Sequence, residues 1–174
     1  MSLSSSPMNP TRAILLSRAS KTVMVASLGV FGILVAVNNM TDYGSNYEFV
    51  RHVLSMDTTF PGNALRWRAV SSPVLWHLFY VLIIAAEFLT GAFFSLAALQ
   101  MARAVKSSSE EFRSARALVP VATALGFMIW FFGFSVVGGE WFAMWQSHVW
   151  NGQEAAFRFF MTMLAVCVFT QQGD

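Results

Sequence analysis

Charge is missing from four long stretches of this chain, and that absence constrains the fold more than any motif. Residues 22–41 and 117–139 carry no ionisable carboxylate or base, residues 73–102 carry only Glu87 among the charged types, and residues 155–171 carry only Arg158. A helix needs about 20 mostly apolar residues to cross the hydrocarbon core of a bilayer. In lipid the backbone must satisfy its own hydrogen bonds, which leaves helices or closed barrels. Runs of this length are helical rather than strand-like. Charged residues are only 11% of the chain, against about 25% in soluble domains, so a wholly water-facing surface is excluded. The expected fold is all-α: one domain, a four-helix transmembrane bundle with spans near 22–41, 73–102, 117–140 and 153–171.

Local signals mark the ends. Ser72-Pro73 places a cap before a proline at the first helical position. Ser45-x-x-Glu48, Ser108-x-x-Glu111 and Asn151-x-x-Glu154 have capping-box spacing. Pro120 is expected to bend or restart the third helix. The first apolar run follows Arg12, Arg18 and Lys21 but lacks a clean small-x-small cleavage site, so it reads as a retained span rather than a signal peptide.

Basic residues set the orientation. Arg12, Arg18, Lys21, Arg103, Lys106, Arg113 and Arg116 fall on one side; Arg51, Arg66, Arg68 and Arg158 fall on the other. The positive-inside rule makes the richer side cytoplasmic. Both termini then lie in the cytoplasm with residues 103–116, and residues 42–72 and 141–152 form a periplasmic cap. Within that cap Tyr47, Val50 and Leu54 recur at helical spacing, so Ser45–Met56 is expected to be a short amphipathic helix packed against the second outer loop. Phe60-Pro61-Gly62-Asn63 reads as a turn, and Trp141, Trp145 and Trp150 as interfacial aromatics.

Several function classes drop out. The net charge of +2 is dispersed, with no basic run suited to nucleic acid. Cys167 is the single cysteine, so no internal disulfide framework exists. There is no phosphate loop, dinucleotide fingerprint or catalytic triad pattern.

Three constellations remain. His77, Tyr80, Ile84, Glu87 and Gly91 share one helix face. Glu87, expected near mid-membrane, needs a partner or water; the seam either faces a cavity or joins helices by hydrogen bonds. His52, His77 and His148 all fall on or near the outer side and could hold zinc or copper, though their spacings match no known ligand pattern; only His77 lies inside a span, which speaks against a bis-histidine haem. Arg158 lies one turn after Glu154 and is expected to brace the bundle top, pair with Glu140, or bind an anion. Gly29-x-x-Gly32, with Gly126 and Gly133, reads as close helix packing.

Certain strings carry a resemblance: Asn38-Asn39-Met40-Thr41-Asp42-Tyr43, then Phe49-Val50 with Val53-Leu54-Ser55-Met56-Asp57, and Met144-Trp145-Gln146-Ser147-His148-Val149-Trp150-Asn151-Gly152-Gln153 followed by Ala156-Phe157-Arg158. Together they resemble a bacterial family of small integral membrane proteins, domain of unknown function 2165, over about residues 17–171. The resemblance implies a four-helix protein of the bacterial inner membrane and no established activity. These strings sit mostly in the outer loops, which makes Asn38, Asn39, Asp42, Tyr43, Trp145, Gln146, Trp150, Asn151, Gln153 and Arg158 the expected binding residues. The leading expectation is a non-enzymatic accessory or assembly subunit that binds another membrane protein, or a second copy of itself, through the cap. A redox or metal-handling protein using the outer histidines is the alternative, and an oligomeric small-solute transporter a third. No cofactor is required by the sequence.

Overall fold

The computed structural model describes residues 9–173; the serine-rich start of the chain and Asp174 lie outside the described residues. Among the described residues there are helices and turns and no strands. Four helical stretches are long and apolar enough to cross a membrane: Pro10–Thr41, Pro73–Ala104, Ser109–Trp141 and Gln153–Gln171.

Helix α1, Pro10–Thr41, starts on Asn9, whose side chain accepts from the Thr11 amide at 2.9 Å, with proline at the first helical position. It therefore begins well before the apolar run, because Arg18 and Lys21 belong to its buried face. At Asp42 the backbone leaves helical geometry (φ −113°, ψ 59°) and α2, Tyr43–Ser55, begins at once. The expected box at Ser45 does not form. Ser45 already lies inside the helix, where amides have intrahelical partners, and Glu48 instead binds Arg51 at 2.7 Å. Helix α2 stops at Met56 in the left-handed region (φ 52°). Phe60–Asn63 closes a turn through Asn63 N–H to the Phe60 carbonyl at 3.1 Å, with Gly62 at φ 76°, a backbone conformation that glycine adopts without strain.

Helix α3, Pro73–Ala104, follows Ser72. The short α4, Ser109–Ala115, has both halves of the Ser108/Glu111 capping box. The chain turns at Arg116–Ala117 and restarts as α5, Leu118–Phe127. Pro120 falls in the first turn of α5, where a missing amide costs nothing. From Met128 to Trp141 the winding widens to a π-helix, closed by Phe142 N–H to the Val137 carbonyl at 3.0 Å. Ala143 (φ 51°) turns the chain, and α6, Gln153–Gln171, returns through the bundle. Gly152 is the N-cap residue of α6; Asn151, one residue before it, accepts from the Gln153 amide at 3.1 Å, while Glu154 pairs with Arg158, so the expected Asn151/Glu154 box does not form.

Helices α1 and α3 run antiparallel at very close range. A Cβ built on Gly32 would meet the Gly91 Cα at 2.7 Å. One core, including Val25, Phe94, Met101, Phe112, Trp130 and Met163, fills the bundle. A second, including Val50, Leu54, Tyr80, Phe142 and Met144, fills the space under the cap.

The pairing between α1 and α3 also fixes relative height. Asn39, near the end of α1, bonds Glu87, far inside α3. The segment Pro73–Ile83 therefore stands about 16 Å above the end of α1, at 1.5 Å per residue. Glu87 lies about halfway along α3, level with the last turn of α1. The apolar run of α3 is longer than a bilayer requires, so hydropathy alone could not say which part of it lies at mid-depth.

Candidate functional site

The cap is a roof laid on the protruding end of α3. Helix α2 packs against α3 and over the π-helix: Phe49 stacks with Phe134 (5.9 Å between centroids) and meets Trp150 edge-on (6.3 Å). His52 lies flat on Trp150 at 4.5 Å. The return strap is tied down by the Val70 amide to the Leu54 carbonyl (2.8 Å) and by the Trp76 indole N–H to the Val70 carbonyl (2.8 Å).

Gln146 joins the two cap segments. It is buried, and its Oε1 accepts from the Phe60 amide at 3.0 Å and from Asn63 Nδ2 at 3.1 Å. Ser147 Oγ accepts from the Trp150 amide at 2.9 Å. These bonds hold Phe60 and Trp145 edge-to-face, 5.8 Å apart, on the outside of the cap. Phe60 is 46% exposed, Trp145 51% and Val149 75%.

Beneath the roof is a polar cluster. Asn46 Nδ2 donates to Asn39 Oδ1 (2.6 Å), Asn39 Nδ2 donates to Glu87 Oε2 (2.7 Å), and the Tyr80 hydroxyl donates to the Asn39 carbonyl (3.1 Å). Asn39, Tyr80 and Glu87 are all buried. Asn39 thus ties α1, α2 and α3 together, and the seam is of the helix-joining kind. His77 leaves it: it is exposed, its Nδ1 lies 2.8 Å from the Tyr43 hydroxyl, and its ring stacks on Tyr47 at 4.3 Å. Burial, and then the neighbouring Tyr47, push the Tyr43 phenol above its ordinary pKa.

The three histidines do not converge. His52 Nδ1 contacts Asp57 at 2.8 Å while Arg51 donates to Nε2 at 2.6 Å, which engages both ring nitrogens. His77 faces tyrosines, and exposed His148 lies 6.5 Å from the Phe60 ring. Among the described residues no three His, Cys, Asp or Glu side chains are grouped to hold a metal ion. The expected set His52, His77 and His148 is corrected on this point: a shared level on the outer side placed them together, but α2 turns His52 toward Asp57 and Trp150. For haem, His77 has no second histidine opposite.

The other expected binding residues divide. Asn39 and Tyr43 belong to the polar cluster, Gln146 and Trp150 to the roof. Gln153 is half-buried against Gly139. Asn38, Asp42, Asn151 and Trp145 are exposed. Arg158 pairs with Glu154 on the outside of α6, both side chains largely exposed, and so does not brace Glu140 or enter the cap. Its position one turn into the helix places it on the surface rather than inward.

Sequence reading missed the opposite end of the bundle. Arg18, Lys21 and Arg116 are buried there. Arg18 donates to the Ser107 carbonyl (2.7 Å) and to Ser109 Oγ (3.0 Å), and Lys21 to the Gln172 carbonyl (2.8 Å). Arg116 donates to the Thr170 carbonyl and to that of Gln172 (2.8 Å). Three cations close the carbonyl ends of α3 and α6, where unpaired acceptors and the helix dipole favour positive charge. Asn46, Phe60 and Asn63 were also missed, since each works through a partner distant in the chain.

Four apolar helices, a capped end and a cation-closed end define a small integral membrane protein. Residues 17–173 match the family described as predicted small integral membrane protein (DUF2165). The chain belongs to that family. Neither the curated proteins nor the solved structures yield a match.

Proposed function

We propose that this protein is a non-enzymatic accessory subunit that docks another membrane protein through its cap. The observation that carries this reading is the patch of Phe60, Trp145 and Val149: apolar, exposed, and held on a rigid frame by buried Gln146. Exposed apolar patches mark interaction surfaces, and aromatic anchors dominate binding energy where they are fixed in advance. The polar cluster under the roof is joined by hydrogen bonds among its own members, which suits a frame. We further propose that the membrane is a bacterial inner membrane with the cap on the periplasmic side, on the strength of the basic-residue bias.

A photo-crosslinking residue at Trp145 or Val149, with Leu89 on the exposed face of α3 as control, tests the docking. The expected result is one discrete adduct to a second membrane protein from the cap positions, lost when Phe60→Ala is added. Adducts only to lipid, or only to another copy of this chain, would overturn the accessory-subunit reading.

A further inference from the structure

We propose that the cleft between α3 and the π-helix, roofed by α2, holds one phospholipid with a primary-amine zwitterionic headgroup, its phosphate on Arg68 and its ammonium on Glu140. The cleft is a cavity of about 350 Å³, and every residue lining it is apolar or glycine. That volume lies in the range of small-molecule sites, roughly 300–1,000 Å³. Phe79, Leu82 and Phe132 form its rim and are exposed on the outside of the bundle, so a chain enters sideways from the lipid. Gly133 leaves part of the wall open: a Cβ there would meet nothing nearer than the Met128 carbonyl oxygen at 3.7 Å.

The cleft does not end in apolar surface. Phe132 and Val137 are shared with an adjoining pocket completed by Arg68, Val136, Glu140 and Trp141. Arg68 is held over the Trp141 ring at 4.4 Å and donates one N–H to the Trp141 carbonyl at 3.2 Å. Its Nε is buried with no hydrogen-bond partner. The half-buried Arg68 guanidinium has N–H groups beyond its one bond to the Trp141 carbonyl, and a phosphate oxygen at the mouth is the acceptor whose geometry arginine favours. Glu140 lines the same pocket, and no ion pair joins it to Arg68 among the described residues. A cation and an anion left unpaired at one mouth suit a headgroup that carries both signs. A purely anionic head would face Glu140 as a repulsive neighbour. Exposed Trp67 and Trp141 flank the mouth, as tryptophans do at the depth of headgroups.

Native mass spectrometry of the full chain in mild detergent tests this, with dioleoyl phosphatidylethanolamine and dioleoyl phosphatidylglycerol added in competition. The expected result is one bound lipid per chain, the ethanolamine lipid preferred by roughly tenfold, as a charge-assisted contact implies. Arg68→Gln should weaken both lipids, Glu140→Gln should abolish the preference, and Gly133→Leu, which fills the cleft, should remove binding. Thermal unfolding of each variant separates loss of the site from loss of the fold. No retained lipid in a folded wild-type chain, preference for the glycerol lipid, or a preference untouched by Glu140→Gln would overturn the proposal. So would a disulfide-linked dimer of Leu82→Cys that excludes lipid, since a second copy would then fill the cleft.

Discussion

Glu87 is tolerated inside the helix packing because Asn39 meets it. Three helices converge on that asparagine, through Asn46, Tyr80 and Glu87. Replacing Glu87 by Leu leaves the Asn39 amide buried without an acceptor, a cost of about 1–3 kcal/mol. Glu87→Gln keeps an acceptor oxygen and should stay within about 1 kcal/mol of the parent. Thermal unfolding of the purified chain in detergent is expected to rank the parent and Gln variant together and the Leu variant clearly lower; equal stability of Gln and Leu variants would refute the role of the bond. The spacing of Tyr80 and Glu87 on one face was legible in the sequence, as was the need for a partner. That the partner is Asn39 was not, because register between two helices depends on how closely they pack, and a single helix does not contain that information.

Helix α1 meets α3 through backbone rather than side chains. At Gly91 a Cβ would lie 2.5 Å from the Ile33 amide nitrogen, so neither helix can yield without separating. Gly91→Val and Gly32→Leu are each expected to destabilise by roughly 1–3 kcal/mol through overpacking. A Cβ added at Gly44 in α2 would meet nothing within 4 Å, and Gly44→Ala should be neutral or stabilise by up to about 1 kcal/mol from helix propensity. A full unfolding series on the three variants checks both halves. The Gly29-x-x-Gly32 spacing announced such a contact, but not its counterpart on α3.

Capping boxes show why identical patterns differ in outcome. Ser108 stands at a true chain turn, where free amides await an acceptor, and its box forms; Ser45 stands inside a helix already begun at Tyr43, and its box does not. Backbone and side-chain hydrogen bonds from Ser108 hold the exposed Glu111 carboxyl, which precedes the apolar run, below its usual pKa. A depressed folded pKa means that the cap stabilises α4 fully above the unfolded carboxyl value, about 4.3, and loses that contribution as pH falls through the folded value. Amide exchange over residues 109–116 should accelerate on acidification through that window beyond the intrinsic pH trend. In Glu111→Gln the additional acceleration should be absent; an unchanged pH profile in that variant would show that Glu111 is not the group responsible.

Across the molecule the two ends use charge differently. At one end Arg18, Lys21 and Arg116 are drawn in to close helix termini, leaving Arg12, Arg103, Lys106 and Arg113 on the surface. At the cap end Arg51 pairs with Glu48 and Asp57, and Arg158 with Glu154, while Arg66 and Arg68 join no ion pair among the described residues. A count of Lys and Arg in the sequence suggested a moderate asymmetry, and side-chain pairing keeps it: Arg12, Arg103, Lys106 and Arg113 stay unmatched at the end opposite the cap, against Arg66 and Arg68 at the cap. That end is expected in the cytoplasm. In a Cys167→Ala background, Ser114→Cys and Gly44→Cys place single thiols at exposed positions on the two ends. A membrane-impermeant maleimide applied to intact spheroplasts should modify the Gly44 variant before lysis and the Ser114 variant only after it. Modification of the Ser114 variant from outside would invert the molecule, placing the cap in the cytoplasm and requiring any docking partner to present its surface there. Dual labelling of both variants before lysis would instead indicate two insertion orientations, which the basic residues make unfavourable: reversing the chain requires carrying Arg12, Arg103, Lys106 and Arg113 across the bilayer.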